Sequence, residues 1–429
     1  MRRMKDSGIE WIGEIPEHWK LMPIKIIFNE RNENNDAIKT TEILSLTIEQ
    51  GVIPHSEKTG VGGNKPKEDI SKYKLTYPND IVINSMNVLA GAVGISKYFG
   101  AVSPVYYTLY PSSNEFSSEY YNNIFQTKPF QESLLGLGNG IMMKKSESSG
   151  KLNTIRMRIP MSKLNTLSLP VPPIDEQFRI SGQLNGIVLT IDNIIEKTKR
   201  SIDEYKKYKQ SLITEAVTKG LSPNVKMKNS GIEWIGQIPE HWKIVKSKYV
   251  LNKLLRKRIE NGDTVICSNG GKSTLKGDSN IGLVSLTQHD YQGVEIGDVL
   301  IHGMDTWHGA IALSEHRGDC TSVVHVCDSK QNKQFLVYFL QMLSFNGVYK
   351  LISNGVRQNT SDFRSWSKFG EILIALPSID EQHQIIEFIN NKVIFIDSLI
   401  NQKEILINEL ESYKKALIYE VVTGKKEIN

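Results

Sequence analysis

Two stretches of the chain carry apolar side chains at alternating three- and four-residue intervals. The first runs Val188, Ile191, Ile195, Thr198, Ile202, Tyr205, Lys209, Leu212, Ala216, and the second Val393, Ile396, Ile400, Lys403, Ile407, Leu410, Lys414, Leu417, Val421. Seven of nine positions in each set are apolar or aromatic. That 3.5-residue period, held over four heptads, predicts two long helices meeting along a coiled-coil seam. Glu and Lys fill the positions between, as a solvated face requires. VPPIDEQ at 171–177 and LPSIDEQ at 376–382 open the helices, with proline beside the first turn and Asp-Glu complementing the helix dipole. Gly220 and Gly424 mark their ends. A helix of about 40–45 residues reaches roughly 60–65 Å. Its most available partner is its own repeat, and antiparallel pairing is expected.

The repetition extends beyond the helices. MKDSGIEWIGEIPEHWK at 4–20 returns as MKNSGIEWIGQIPEHWK at 227–243, with 15 of 17 positions identical. The order is therefore box, variable region, long helix, written twice, which allows approximate two-fold symmetry within one chain. Boundaries are expected at 1–168 for a first globular domain, 169–226 for a first spacer helix, 227–373 for a second globular domain and 374–429 for a second spacer helix. The boxes hold Trp11, Trp19, Trp234 and Trp242, four of the six tryptophans. They either cap the helix pair or form a patch where a partner docks, since aromatic residues suit both.

The variable regions, 21–168 and 244–373, are much less alike but share a faint skeleton. ILSLT at 43–47 echoes LVSLT at 283–287, NDIVINSMNVLAGAVGIS at 79–96 echoes GDVLIHGMDTWHGAIALS at 297–314, and GNGIMMK at 138–144 echoes SNGVRQN at 353–359. Apolar stretches bounded by Gly, Asn and Asp predict short strands and turns, hence two α+β domains of one fold.

Charge then separates the variable regions from the frame. The positive excess resides in them, +3 in each, while the rest of the chain is −1: 16 Lys and Arg against 13 Asp and Glu in 21–168, and 15 against 12 in 244–373. Lys144, Lys145, Arg156 and Arg158 cluster in the first, and Lys246, Lys248, Arg256, Lys257 and Arg258 in the second. Such clusters suit phosphate contact. Asn84, Ser85, Asn87, Asn139, Asn354, Arg357, Gln358 and Asn359 are loop residues of the types that address base edges. Three cysteines in 429 residues fit a reducing cytoplasm, the N-terminus lacks the apolar run of a signal peptide, and no apolar run is long enough to span a membrane.

Catalytic motifs are missing. GGKST at 270–274 lacks the earlier glycine of a phosphate-binding loop, and DEQH at 380–383 reads as a helix start rather than a helicase motif. No Asn-Pro-Pro-aromatic run for amino-group methylation is present. His316, Cys320, His325 and Cys327 match no defensible zinc spacing. No catalytic residue, metal or cofactor is assigned to this chain.

The doubled SGIEWIGxIPEHW box, the doubled P-x-IDEQ helix starts, the paired helices and the two divergent basic regions resemble the specificity subunit of type I restriction–modification enzymes over essentially the whole length. The resemblance implies two target recognition domains, each reading half of a bipartite asymmetric DNA site, with the helices as spacer. It implies two methyltransferase subunits and motor-nuclease restriction subunits as partners, with DNA-mimic anti-restriction proteins as further candidates. S-adenosylmethionine, and ATP with magnesium, would sit on those partners. The rival reading is a coiled-coil interaction protein whose basic domains bind RNA or protein. A self-sufficient methyltransferase is a third.

Overall fold

The computed structural model describes residues 2–48, 50–58, 66–67, 69–138, 158–259, 262–278, 291–353 and 360–428. The fold is α+β. The chain divides into two compact units, 1–198 with 405–429, and 199–404. Both long helices form, as Ile174–Lys219 and Ile379–Val422. Each contributes its first part to one unit and its last part to the other.

The two units have one topology. In the first, a four-stranded antiparallel sheet orders Phe28–Glu30, Tyr106–Pro111, Ile81–Asn84 and Val93–Ile95. In the second the order is Asn252–Lys253, Val324–Asp328, Val299–His302 and Ile311–Leu313. The central strands Ile81–Asn84 and Val299–His302 open as apolar runs because both their faces are buried. Ile81 and Ile83 join the larger core of unit 1, while Val82 joins a smaller one with Leu44, Val52 and Val102. Val299 and Ile301 face the core containing the helix Lys333–Phe345, and Leu300 faces Val265, Val294 and Val326. The same alternation sends Cys320 and Cys327 to different cores.

The echo between 79–96 and 297–314 is structural throughout. Strands, the 3-10 turns Val88–Ala90 and Thr306–His308, and the left-handed Gly91 (φ 84°) and Gly309 (φ 80°) all correspond. Among the described residues, the topological match to ILSLT comes from another segment. Strand Leu44–Thr47 corresponds to Val265–Cys267: each opens a two-stranded hairpin, and the residue before each, Ile43 or Thr264, bridges in parallel to Ala101 or Asp319. Residues 283–287 lie outside the described residues. So do 139–144 and 354–359, which carry most of the third echo.

The helices run antiparallel within each unit. In unit 1, Trp19 lies beside both Glu176 at the start of the first helix and Gly424 at the end of the second. Further along, Asp192 meets Lys414 at 2.5 Å. In unit 2 the roles exchange: Trp242 joins Glu381 to Gly220, and Asp397 meets Lys209 at 2.5 Å. One copy therefore repeats the other with the helices swapped. Along the seam, Ile191, Ile195, Ile202, Leu212, Ile396, Ile400, Ile407 and Leu417 are buried, and Val188, Tyr205, Val393 and Leu410 half-buried.

Candidate nucleic-acid interface

Each unit carries a junction in which both repeated motifs meet. At the first, Trp19 is fully buried and its indole N–H donates to Glu176 Oε2 at 3.1 Å. His18 Nε2 lies 3.0 Å from the same oxygen, and Arg2 pairs with Oε1. At the second, Trp242 is also fully buried and donates to Glu381 Oε1 at 3.1 Å, with His241 Nε2 at 2.8 Å from Oε2. The Glu of IDEQ is thus the anchor of the Trp-containing box. The following Gln anchors the variable domain. Gln177 accepts from the Ser117 amide at 2.9 Å, the N-cap of helix Ser118–Phe125, and donates to the Pro172 and Glu115 carbonyls. Gln382 does the same for Asn332, the N-cap of Lys333–Phe345.

This decides between the two expectations for the boxes. Trp19 and Trp242 cap the helix pair; buried indoles cannot form a docking patch. Trp11 is half-buried against Phe130 (5.6 Å between centroids), and its carbonyl accepts from the Tyr419 hydroxyl at 2.8 Å. Trp234 is half-buried beside the core of unit 2. Gly220 and Gly424 have positive φ (72° and 75°), and a Cβ on Gly424 would lie 2.4 Å from Pro16 and 3.0 Å from Trp19. Close approach of backbone to tryptophan requires glycine there.

Burial pushes the Glu176 carboxyl up, but its bonds from Arg2, His18 and Trp19 outweigh this and leave it below its ordinary value of 4.5. A carboxylate depressed in the folded state contributes stability above its unfolded pKa and loses it as pH falls through the folded one. The urea midpoint is therefore expected to decline below about pH 4.5, with a smaller decline in Glu176→Gln. Equal acid sensitivity of the two proteins would exclude this role.

The basic cluster of unit 2 is largely committed to internal pairs. Arg256 clamps the buried Asp298 through both terminal nitrogens, and Arg258 Nε donates to the buried Asp319 at 2.9 Å. Lys246 and Lys248 both contact Glu371 at 2.5 Å, which holds that carboxyl at about 2. Residues 246–258 hold no acid of their own; Asp319 comes from strand Gly318–Cys320, and Asp298 and Glu371 from turns. Lys257 and Arg158 are exposed. Lys144, Lys145, Arg156, Asn139, Asn354, Arg357, Gln358 and Asn359 lie outside the described residues.

Unit 1 presents a polar groove of about 430 Å³. Asn84 and Asn87 line it with Ser45, His55, Tyr73 and Tyr106. Ser45 Oγ and His55 Nδ1 are 2.8 Å apart. Sequence reasoning missed these last four, since they lie on separate strands and turns. Ser85, expected to address a base edge, does not stand at the groove. It is fully buried, and its hydroxyl donates to the Val105 carbonyl at 2.8 Å, bracing the loop. Among the described residues no group of three His, Cys, Asp or Glu could hold a metal, and no helix is long and apolar enough to cross a membrane.

Fold and junctions define a class of protein: a repeated frame of antiparallel helices carrying two unlike α+β domains of one topology. Two solved structures share this fold. The HsdS subunit from Thermoanaerobacter tengcongensis matches with a TM-score of 0.54, at 12% identity, over 96% of this chain and 98% of that one. A chain from a structure concerned with complex assembly and conformational transition of the type I R-M system matches with a TM-score of 0.68, at 11% identity, over 96% and 99%. In sequence the chain is similar to the type I restriction enzyme MjaVIII specificity subunit of Methanocaldococcus jannaschii, 24% identical over 269 residues, 60% of this chain and 54% of that one. It is also similar to the MjaX specificity subunit of the same organism, whose own assignment is provisional, at 26% over 245 residues, 54% and 53%. The chain spans about half the length of the curated relatives it matches. No protein-family model matches it.

Proposed function

We propose that this chain is the DNA-recognition subunit of a type I restriction–modification complex. Regions 21–168 and 244–373 are its two target recognition domains, each reading one half of a bipartite, asymmetric site, and the paired helices set the gap between halves. The observation that carries this is the agreement of fold with specificity subunits over 96% of the chain, joined to sequence similarity to two proteins of that name. The duplicated frame supports it physically, because equivalent Trp–Glu junctions hold two domains whose exposed side chains differ.

The chain reads and its neighbours react. Two methyltransferase subunits supply adenine methylation with S-adenosylmethionine, flipping the base out of the duplex. Restriction subunits supply ATP- and magnesium-dependent cleavage, and DNA-mimic anti-restriction proteins compete for the same surface. The complex works in the cytoplasm. Phosphate contacts position the domains, and a few base-edge contacts specify the site.

Replacing 21–168 by the corresponding region of another such subunit is expected to change one half of the methylated motif and leave the other half intact. Mapping of methylated adenines in cells carrying the chimaera and its methyltransferase checks this. A motif unchanged in both halves, or altered in both, refutes it.

A further inference from the structure

The segments 79–96 and 297–314 give the two units the same loop, and its polar residues differ. Both loops leave a central strand, pass through a 3-10 turn and return along an edge strand through a left-handed glycine. The backbone is held alike in both. The left-handed Asn79 (φ 72°) matches Gly297 (φ 84°), and the buried Asp80 matches Asp298. Met86 matches Met304. Ser85 is buried, and its counterpart Gly303 has no room for a side chain, since a Cβ would meet the backbone of Phe363 and Arg364 at 2.8 Å. On the strand-end side of the turn this leaves one variable polar pair per unit: Asn84 with Asn87, and His302 with Asp305.

We infer that these pairs are the base-reading side chains of the two domains, a conclusion that rests on the DNA-reading function proposed above. Asn84 and Asn87 line the groove of unit 1 beside Tyr73 and Tyr106, with His55 at its far wall. The Asn84 Oδ1 accepts from the Met86 amide at 3.0 Å, which shapes the turn and leaves its Nδ2 for an outside acceptor. Asn87 is exposed, and its carboxamide has no hydrogen bond among the described residues. A carboxamide offers one donor and one acceptor side by side, the complement of the adenine N7 and N6 edge. In unit 2, His302 Nδ1 faces Asp305, 3.1 Å from its amide nitrogen and 3.2 Å from its Oδ2, which leaves Nε2 for an outside group; when Nδ1 accepts from that amide, the neutral ring carries its proton on Nε2. That N–H matches the guanine acceptors, and the Asp305 carboxylate matches the cytosine amino group. The same scaffold thus presents amide chemistry suited to A·T in one unit and imidazole–carboxylate chemistry suited to G·C in the other.

Neighbouring described segments bond to these loops. The Ile159 amide donates to the Ser85 carbonyl at 3.0 Å. In unit 2, Ser353 accepts from the Trp307 indole at 2.6 Å, and the Ser361 amide donates to the Met304 carbonyl at 2.8 Å. The turn is therefore a fixed point of each domain.

The test transplants one pair onto the other scaffold. The double variant Asn84→His/Asn87→Asp, in the full chain with its methyltransferase subunits, is given plasmids carrying randomised half-sites, and methylated adenines are mapped. The expected result is a change from A·T to G·C preference at a base pair of one half-site, with the other half unchanged. An unchanged motif at full methylation overturns the assignment. If the double variant methylates nothing, Asn87→Ala decides, because that side chain has no bond to lose among the described residues. Binding to the cognate duplex is then expected to weaken about 5- to 150-fold, with discrimination lost at that one base pair. Unaltered affinity and discrimination overturn the assignment. A wild-type complex that methylates no defined bipartite sequence overturns the DNA-reading function itself, and the assignment with it.

Discussion

Trp19→Ala is expected to destabilise the protein by about 3–5 kcal/mol, the range for removing a large buried aromatic side chain. Trp19 has no exposed surface, and its ring lies beside Tyr120 at 6.4 Å between centroids. It also fills the space that Gly424 leaves open, so the cavity adjoins the end of the second long helix. The loss has a second part. Glu176, itself nearly buried, gives up the indole N–H and keeps Arg2, His18 and, at 3.8 Å, Arg179. A carboxylate losing one of its donors at a buried site loses about 1–3 kcal/mol. Trp19→Phe retains most of the ring and removes only the donor, so it should lie near that smaller figure. Urea unfolding of the three proteins measures both parts. A Trp19→Ala loss below about 1 kcal/mol would show that the junction does not hold the helices. The duplicated geometry requires Trp242→Ala to behave alike.

Asp80→Ala comes next in size, at about 3 kcal/mol. Removing one member of a buried ion pair leaves the other charge without compensation, which costs about 3–5 kcal/mol. Arg31 keeps 24% of its side chain exposed, which places the expectation at the low end. Asp80 accepts from Arg31 at 2.8 and 3.0 Å and from the Tyr77 amide at 2.8 Å. Arg31 itself lies against Tyr77 and Tyr110 at 4.4 and 4.5 Å from their ring centres. Asp298 repeats the design in unit 2 with Arg256 and the Glu295 amide. The contrast with Lys257 is informative, because that residue is exposed. Arg256→Ala should lower the urea midpoint. Lys257→Ala should leave the midpoint in place and weaken duplex DNA binding at low salt, reducing the salt slope by about 1. A Lys257→Ala variant as unstable as Arg256→Ala would reverse these roles.

The helices were legible because a seam needs repetition. A 3.5-residue apolar period sustained over four heptads is the mark of helices that pair along one stripe, and all twelve seam positions are buried or half-buried. The fold of the variable domains was legible only where both copies keep one pattern, at 79–96 and 297–314. The echo of ILSLT in LVSLT gave no guide to the described strands of unit 2, because 283–287 lie outside the described residues. Which strand corresponds is decided by pairing: Leu44–Thr47 and Val265–Cys267 occupy the same place with little sequence in common. The basic cluster at 246–258 misled. Proximity in sequence shows which charges share a segment, and it says nothing of the acids that folding brings to them.

By itself the sequence determined that this protein is one frame used twice, with long helices and two divergent domains. Those properties follow from periodicity and repetition, which are local and countable. Tertiary structure alone decided why the repeated letters are there. The Glu of IDEQ accepts from a tryptophan 157 residues earlier in one copy and 139 residues earlier in the other, and its neighbour Gln caps a helix of the variable domain. It also decided which cations are held by buried acids and which polar side chains stand at the groove. Such pairings depend on long-range chain closure, and burial, which sets the worth of each contact, exists only once the chain has closed.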